Sequence, residues 1–534
     1  MNKVEQLKRE KDSLDIIKDL ERFAREGWES ISDDDVQRLK WYGLFLRTPT
    51  PGLFMIRVRI PGGLTDASQI HTLGEISKNF GNGVIDITTR QQIQLRGLKI
   101  EDTPQVFELM DNVGLTSIQT GQDNVRNIMG CPVAGLNPKE VLDASSVLMD
   151  LNRHIQGNRT FTDLPRKFNA MISGCADNCH HAETQDLALI PAERKDSLGE
   201  RKGFNVLVGG KLGSGGYRIA SPLDVFVTQE EVVEVCSELI LTYRDNGSRE
   251  IRTQNRLAFL IDEWGEERFR RELEMRLGRS LDRAGTDLRN NETSKHIGIY
   301  RQKQSSMNYI GIRIVVGRIS AEKLIGLAEV AEQYGNGEIR LSPAQTMIIP
   351  NVADGILGEA LEHPLLKEFL YYPSGVSQDL VSCVGNDYCH LATIETKSRA
   401  VEVAIKLEKT LKDTVPISMH WSGCPASCGN HLIADIGLLG KRIKVGKEVV
   451  DGVDIFMGGR TGKHPKQAIK ILENVPCDIL PNVLEQIIPF HTREKMHPIK
   501  GMKKSKNKNK VGASKSRKVE IDRVPFVVNG VSTN

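Results

Sequence analysis

One phrase occurs twice in this chain. Residues 173–179 read SGCADNC and residues 422–428 read SGCPASC. At the same offset Asp186 corresponds to Asp435, and FNVLVGGK (204–211) to VDIFMGGR (453–460). Further upstream FGNGVIDITTRQQ (80–92) corresponds to YGNGEIRLSPAQT (334–346), and VRIPGG (58–63) to IRIVVG (312–317). Two long segments therefore repeat in the same order, with a period far too long for a solenoid. The chain reads as a duplicated half-molecule, each half carrying a smaller and a larger unit.

The rest of the sequence fits that constraint. A chain of 534 residues is too long for one core, so several domains are expected. No run of about 18 apolar residues occurs, so no membrane span is expected. The start, MNKVEQLKREKD, lacks the apolar stretch of a signal peptide, which points to the cytoplasm. Nine cysteines in clustered spacing, in a reducing compartment, argue for metal or catalysis over disulfides. Charge is uneven: residues 498–534 carry ten Lys or Arg against two acids, while the whole chain is only +3. This tail has little to bury and is expected to be a disordered, solvated extension, the rival reading being a docking arm for an acidic partner. A nucleic-acid role is not expected, because its basic run offers no aromatic residue for base stacking.

Periodicity gives mixed α and β elements. FMIRVRI (54–60) alternates, with Arg57 and Arg59 on the face opposite Phe54, Ile56, Val58 and Ile60. In VIDITTRQQIQLRG (84–97), Ile85, Ile87, Ile93 and Leu95 oppose Arg90, Gln92, Gln94 and Arg96. Between these strands DASQIHTLGEISKNF reads as an amphipathic helix stopped by Gly81-Asn82-Gly83, and AEKLIGLAEVAEQY is its counterpart. Residues 1–45 read as a helical arm. The expected class is α+β, internally duplicated. The Arg and Gln strand faces are either solvated or shaped for a polyanion, since Arg forks match carboxylate or phosphate oxygens two at a time.

The second half holds CVGNDYC (383–389) and CPASC (424–428). Four cysteines are the ligand set of a [4Fe–4S] cluster. Paired zinc ligands are usually two to four residues apart, so the five residues inside the first pair lean toward iron.

These cysteine pairs, with TTRQ (88–91), LPRKFN (164–169), SGCPASCG (422–429) and GGR (458–460), resemble the sirohaem-dependent nitrite and sulfite reductase family over residues 40–490. The resemblance implies a small ferredoxin-like half-domain and a larger α+β sirohaem or cluster domain in each half. The implied divisions are 1–45, 46–118, 119–290, 300–372, 373–497 and the tail 498–534. It implies that Cys383, Cys389, Cys424 and Cys428 hold a [4Fe–4S] cluster and that Cys428 also bridges to sirohaem. Thr89, Arg90, Gln94, Arg96, Gln345 and Arg460 become sirohaem contacts, which suits a tetrapyrrole with eight carboxylates. Arg57, Arg126, Lys167 and Asn169 become the substrate residues.

Asn169 bears on the substrate. Relatives that reduce sulfite tend to carry a second lysine there, and a neutral amide suits the monoanion nitrite better than sulfite. Reduction of nitrite to ammonium is therefore expected, with assimilatory sulfite reduction as the alternative. Because the two halves fill the chain, no flavin or nicotinamide domain is expected. A separate ferredoxin, or a flavodoxin, would be the electron donor. GGKLGSGG (209–216) lacks the dinucleotide-binding pattern and reads as a turn beside the cofactor. In the first half Cys131, Cys175 and Cys179 lack a fourth cysteine, because Asn137 falls where Cys389 would be. They are expected to pack as buried small residues, the rival being a labile metal site with His180. A non-catalytic electron carrier or zinc-bound scaffold is the reading from another functional class.

Overall fold

Asp66 and Gln69 form a reciprocal capping box that starts the helix Ala67–Asn79, and Ser320 caps its counterpart Ala321–Tyr334. Each helix buries the apolar face predicted for it. In the computed structural model, which describes residues 2–496 apart from 198, 214, 291–293, 370–375, 377 and 412–415, these two helices pack on each other. A Cβ on Gly74 would lie 2.4 Å from Ile325 Cγ1, so the close approach requires glycine.

Each helix crosses between two sheets. The first sheet runs Leu44–Arg47, Thr50–Val58, Ile93–Leu98, Val84–Ile87 and then Arg318–Ser320, a strand of the second copy. The second runs Gly298–Arg301, Met307–Arg313, Thr346–Ala353, Glu338–Leu341 and then Leu64–Asp66, a strand of the first. All these pairings are antiparallel. Each copy thus caps the other's open sheet edge, and one apolar core runs through both. Nothing local in the sequence announces this exchange.

The turns into the exchanged strands explain a second repeat. Gly63 has φ +72° and a Cβ there would lie 2.2 Å from Leu341 O; Gly317 has φ +68° and would meet Ile87 O at 2.5 Å. Gln91 Nε2 donates to Gly62 O, Gly130 O and Leu341 O at 2.9–3.0 Å. Gln345, its counterpart, donates to Ile87 O and Ser382 O and accepts from Ser382 N. Its buried amide is bonded to backbone on both sides, so it acts as a strut between units.

Arg96 is likewise engaged within the protein. Asp86, between Ile85 and Ile87, is the acid that an Arg and Gln reading of this face passes over. Arg96 Nε donates to Asp86 Oδ2 at 2.6 Å, Arg318 Nε to Oδ1 at 2.9 Å, and Lys397 Nζ lies 3.3 Å from Oδ1. Gln94 Oε1 accepts from Arg96 Nη2 at 2.7 Å, so Gln94 serves the same network. Burial alone would raise the Asp86 carboxyl. Lys397, Arg96 and Arg318 outweigh it and hold the group well below the usual carboxylate range.

The larger units share a plan. In the first, Met129–Gly130, Ala170–Ile172 and Leu187–Asp196 run parallel, and Gly199–Val208 and Ser221–Val227 continue antiparallel. In the second, Asp379–Ser382, Ser418–Ser422 and Ile436–Val445 run parallel, followed by Glu448–Met457 and Ile469–Pro476. Helices cover each sheet and give each unit its own core. Cysteine loops leave the carboxyl ends of adjacent parallel strands, the usual place for a ligand in such sheets. The N-terminal arm is helical at Lys3–Glu10, Leu20–Glu26 and Asp33–Leu39, as expected. The basic tail 498–534 lies outside the described residues.

Asp86→Asn leaves three buried cations without a carboxylate. Breaking a buried ion network in this way costs roughly 3–5 kcal/mol. Urea unfolding is expected to show a loss of that order, and a loss below about 1 kcal/mol would place the weight of this hub elsewhere.

Candidate functional site

The strands Asp379–Ser382 and Ser418–Ser422 lie side by side and deliver Cys383 and Cys424 to the same end of the sheet. Cys383 N donates to Trp421 O at 3.1 Å, and Gly423 N donates to Cys383 Sγ at 3.2 Å. The 424–428 loop then turns back on its strand. Ser427 N donates to Cys424 O at 3.2 Å and Gly429 N to Ser422 Oγ at 3.2 Å. A Cβ on Gly429 would meet Trp421 O at 1.9 Å, which explains the glycine in SGCPASCG.

The four cysteines lie near one another. Burial pushes the Cys424 thiol up to about 12, against one backbone hydrogen bond from Ala426, and charge on Cys428, Cys389 and Cys383 adds to the rise. Burial and Cys428 likewise raise Cys383. Among the described residues no three His, Cys, Asp or Glu side chains lie close enough to hold a single ion. Four thiols on two adjacent loops are the ligand set of a [4Fe–4S] cluster.

Cys428 is the exposed member, and it opens onto a cavity of about 60 Å³. Thr89, Arg90, Lys167 and Asn169, four of the expected residues, line it with Cys428. Thr89 Oγ1 donates to Cys428 O at 3.1 Å, joining the first half to the ligand loop. Arg57 and Arg126 flank it. Arg57 lies over the Phe45 ring at 4.8 Å and donates to Thr120 O at 3.1 Å. Arg126 donates to Thr120 O and Gln122 O. Arg460 is exposed, gives its Nε to His464 O at 2.9 Å, and is not in the cavity wall.

The cavity is short of negative charge. Burial first, then Arg90 and Arg256, pushes Lys167 well below its ordinary range, with Cys428 offsetting part of that. Burial and the neighbouring Arg47 and Arg90 bring Arg57 down to about 9, and burial with Arg57 and Arg90 lowers Arg126 strongly. Asp186 is committed: Arg256 donates to it at 2.9 and 2.5 Å and Asn169 N at 2.8 Å. Its repeat partner Asp435 accepts from Ser418 N and Oγ in the same way. The repeated aspartate therefore fixes the start of the parallel strand in both halves.

Several buried polar atoms have no partner within the protein: Asn169 Oδ1, Arg126 Nε, both ring nitrogens of His180, and His181 Nδ1. His180 and His181 line the cavity. The unpaired Arg126 Nε–H and imidazole N–H groups among crowded cations fit a ligand with many carboxylates, as sirohaem is, and a small anion beside it. Sequence reasoning missed Arg256 and His181 as cavity residues. His181 follows CH at 179–180 and could have been flagged; Arg256 carries no local signal.

The first-half cysteines are buried. Cys131 and Cys175 hydrogen-bond each other, Asn137 Nδ2 donates to Cys175 Sγ at 3.3 Å, and Cys179 Sγ lies 3.2 Å from His296 Nε2. Val133, Leu136, Tyr309 and Ile348 pack around Cys131 and Cys175. His180 turns instead to the cavity. The glycine-rich turn does lie beside it: Leu212 is in the wall.

The family model described as nitrite and sulphite reductase 4Fe-4S domain matches residues 121–281 and 378–512. The nitrite/sulfite reductase ferredoxin-like half domain matches 47–113 and 300–365. The chain is 44% identical over 495 residues to the ferredoxin–nitrite reductase of Synechococcus elongatus, covering 91% of this chain and 96% of that protein. It is 40% identical to the chloroplastic ferredoxin–nitrite reductase of Oryza sativa subsp. japonica, covering 88% and 81%. The solved structure of the Mycobacterium tuberculosis NirA protein superposes with a TM-score of 0.86 at 31% identity, covering 91% and 92%. With its thiol set and cavity, the chain belongs to the nitrite and sulphite reductase family.

Proposed function

We propose that the chain reduces nitrite to ammonium with electrons from reduced ferredoxin: NO₂⁻ + 6 e⁻ + 8 H⁺ gives NH₄⁺ + 2 H₂O. The observation that carries this is a cation-lined cavity whose wall includes Cys428, one of four cysteines on two neighbouring loops. Cys383, Cys389, Cys424 and Cys428 would hold the [4Fe–4S] cluster, and Cys428 the sirohaem iron as well. When bound, the pair supplies the iron at which nitrogen is reduced and a store from which single electrons arrive. Thr89, Arg90, His180 and His181 would meet the tetrapyrrole's carboxylates.

The chain's own residues supply the rest. Arg57, Arg90 and Arg126 hold the anion by charge. Lys167, with its affinity for protons weakened by burial and cationic neighbours, is a ready donor to a departing oxygen. Asn169 presents an amide whose oxygen has no protein partner, fixed through its backbone by Asp186 and Arg256. The cavity's enclosure keeps water from screening these charges.

The division that fits this function is an arm at 1–45, half-domains at 46–118 and 300–372, larger domains at 119–290 and 373–497, and the tail at 498–534. Among the described residues no helix is long and apolar enough to cross a membrane. The cytoplasm suits ligand thiols that must stay reduced.

Cys428→Ser is expected to lose sirohaem absorbance together with the cluster's iron, because one thiolate serves both. A variant that keeps a full sirohaem spectrum would contradict the bridging role. Asn169→Lys adds a cation suited to sulfite, which carries more charge near neutral pH. Charge-assisted hydrogen bonds are worth about 1.5–3 kcal/mol, so the sulfite-to-nitrite ratio of kcat/KM is expected to rise roughly ten- to a hundredfold. An unchanged ratio would remove Asn169 as the selector and return sulfite as an equal substrate.

A further inference from the structure

We propose that the first half of the chain is the mould for the cluster held by the second, and that Tyr388 is a positioning residue for Cys389. This rests on the assignment of a [4Fe–4S] cluster to the four cysteines and goes beyond it to what holds their loops.

The 383–389 loop has no regular secondary structure. Its internal anchors are few: Asn386 N donates to Ile394 O at 3.0 Å, and Thr396 Oγ1 donates to Cys383 O at 2.7 Å. At the other end Cys389 O accepts from Ala392 N at 3.1 Å. The side-chain anchor next to Cys389 is Tyr388. The Arg96 guanidinium lies over its ring at 4.4 Å from the centroid and that of Arg318 at 5.2 Å. Asn82 Nδ2 donates to its hydroxyl at 3.1 Å.

These guanidiniums cannot wander. Arg96 and Arg318 both donate to the buried Asp86 carboxylate, which also holds Lys397. Arg318 stands there because of the strand exchange, in which it pairs with Asp86 in register. Asp387, the remaining charged group near Arg318, lies on the loop itself and draws it the same way. A ring held by two fixed cations makes a stiff support for the next residue. Arg96 thus acts on a cofactor other than the one assigned to it from sequence, and through Tyr388.

The second ligand loop is braced from the same half. Gly213, at φ +117°, backs onto it so closely that a Cβ would lie 2.5 Å from Ala426 O and 3.0 Å from Pro425 O. Thr89 reaches Cys428 O. Neither contact uses a thiol. The glycine-rich turn is therefore a seat for the CPASC loop, which gives a physical reason for glycines there.

The test uses full-length holoprotein and follows three things: iron and acid-labile sulfide content, transfer of iron to a strong ferrous chelator, and the electron paramagnetic resonance of the reduced cluster. Tyr388→Phe keeps the ring and is expected to match wild type. Tyr388→Leu, at a half-exposed position, is expected to release iron roughly tenfold faster by easing local opening, with a broadened cluster signal. Gly213→Ala is expected to do the same through the other loop. Wild-type release by Tyr388→Leu would overturn the positioning role, and a Tyr388→Phe variant as leaky as Tyr388→Leu would overturn the ring clamp in favour of the Asn82 bond. Wild-type protein without acid-labile sulfide would overturn the cluster assignment itself.

Discussion

Two strands change sides, and most of the molecule follows from that. By pairing Arg318–Ser320 with Val84–Ile87 and Leu64–Asp66 with Glu338–Leu341, the copies close each other's sheets and share one core. Neither small sheet is finished without the other copy. The exchange also forces Gly63 and Gly317 against backbone carbonyls and sets Arg318 beside Asp86. The cavity lies on the resulting seam, with Thr89, Arg90, Lys167 and Asn169 from one half and the Cys428 loop from the other. A duplicated chain with independently folded halves could not hold that seam fixed.

Charge is the second organising fact. The fold satisfies its internal acids: Asp86 holds three cations, Asp186 holds Arg256 and the Asn169 backbone, and Asp123 holds Arg252. What remains around the cavity is Arg57, Arg90, Arg126 and Lys167, crowded and lowered by burial and by one another. Such a cluster works against folding unless an anion joins it. A carboxylate-rich tetrapyrrole and a small oxyanion supply that charge. The site is therefore both the least comfortable part of the protein and the part that binds.

Much of this was legible in the sequence. The paired helices could be read from period and caps, and the cluster ligands from the spacing of four cysteines. The repeat itself announced two equivalent halves. The strand exchange was not legible, because a pairing across some 230 residues leaves no local mark. The internal bonds of Arg96 and Gln345 were not legible for a related reason: a polar residue on a strand face looks the same whether it awaits a ligand, an internal carboxylate or a backbone carbonyl. Asp86, a single acid among isoleucines, was the signal for the Arg96 bond. Arg256 sits at the start of a helix far along the chain, and only the fold brings it to Asp186.

The most direct measurement is the electron count. With nitrite limiting and reduced ferredoxin in excess, six ferredoxins are expected to be oxidised for each ammonium formed, since nitrogen passes from +3 to −3 and each ferredoxin gives one electron. Free intermediates should not accumulate if all six electrons enter at this one site. A count well below six with another nitrogen product, or no ammonium from protein carrying both cofactors, would contradict six-electron reduction at this site.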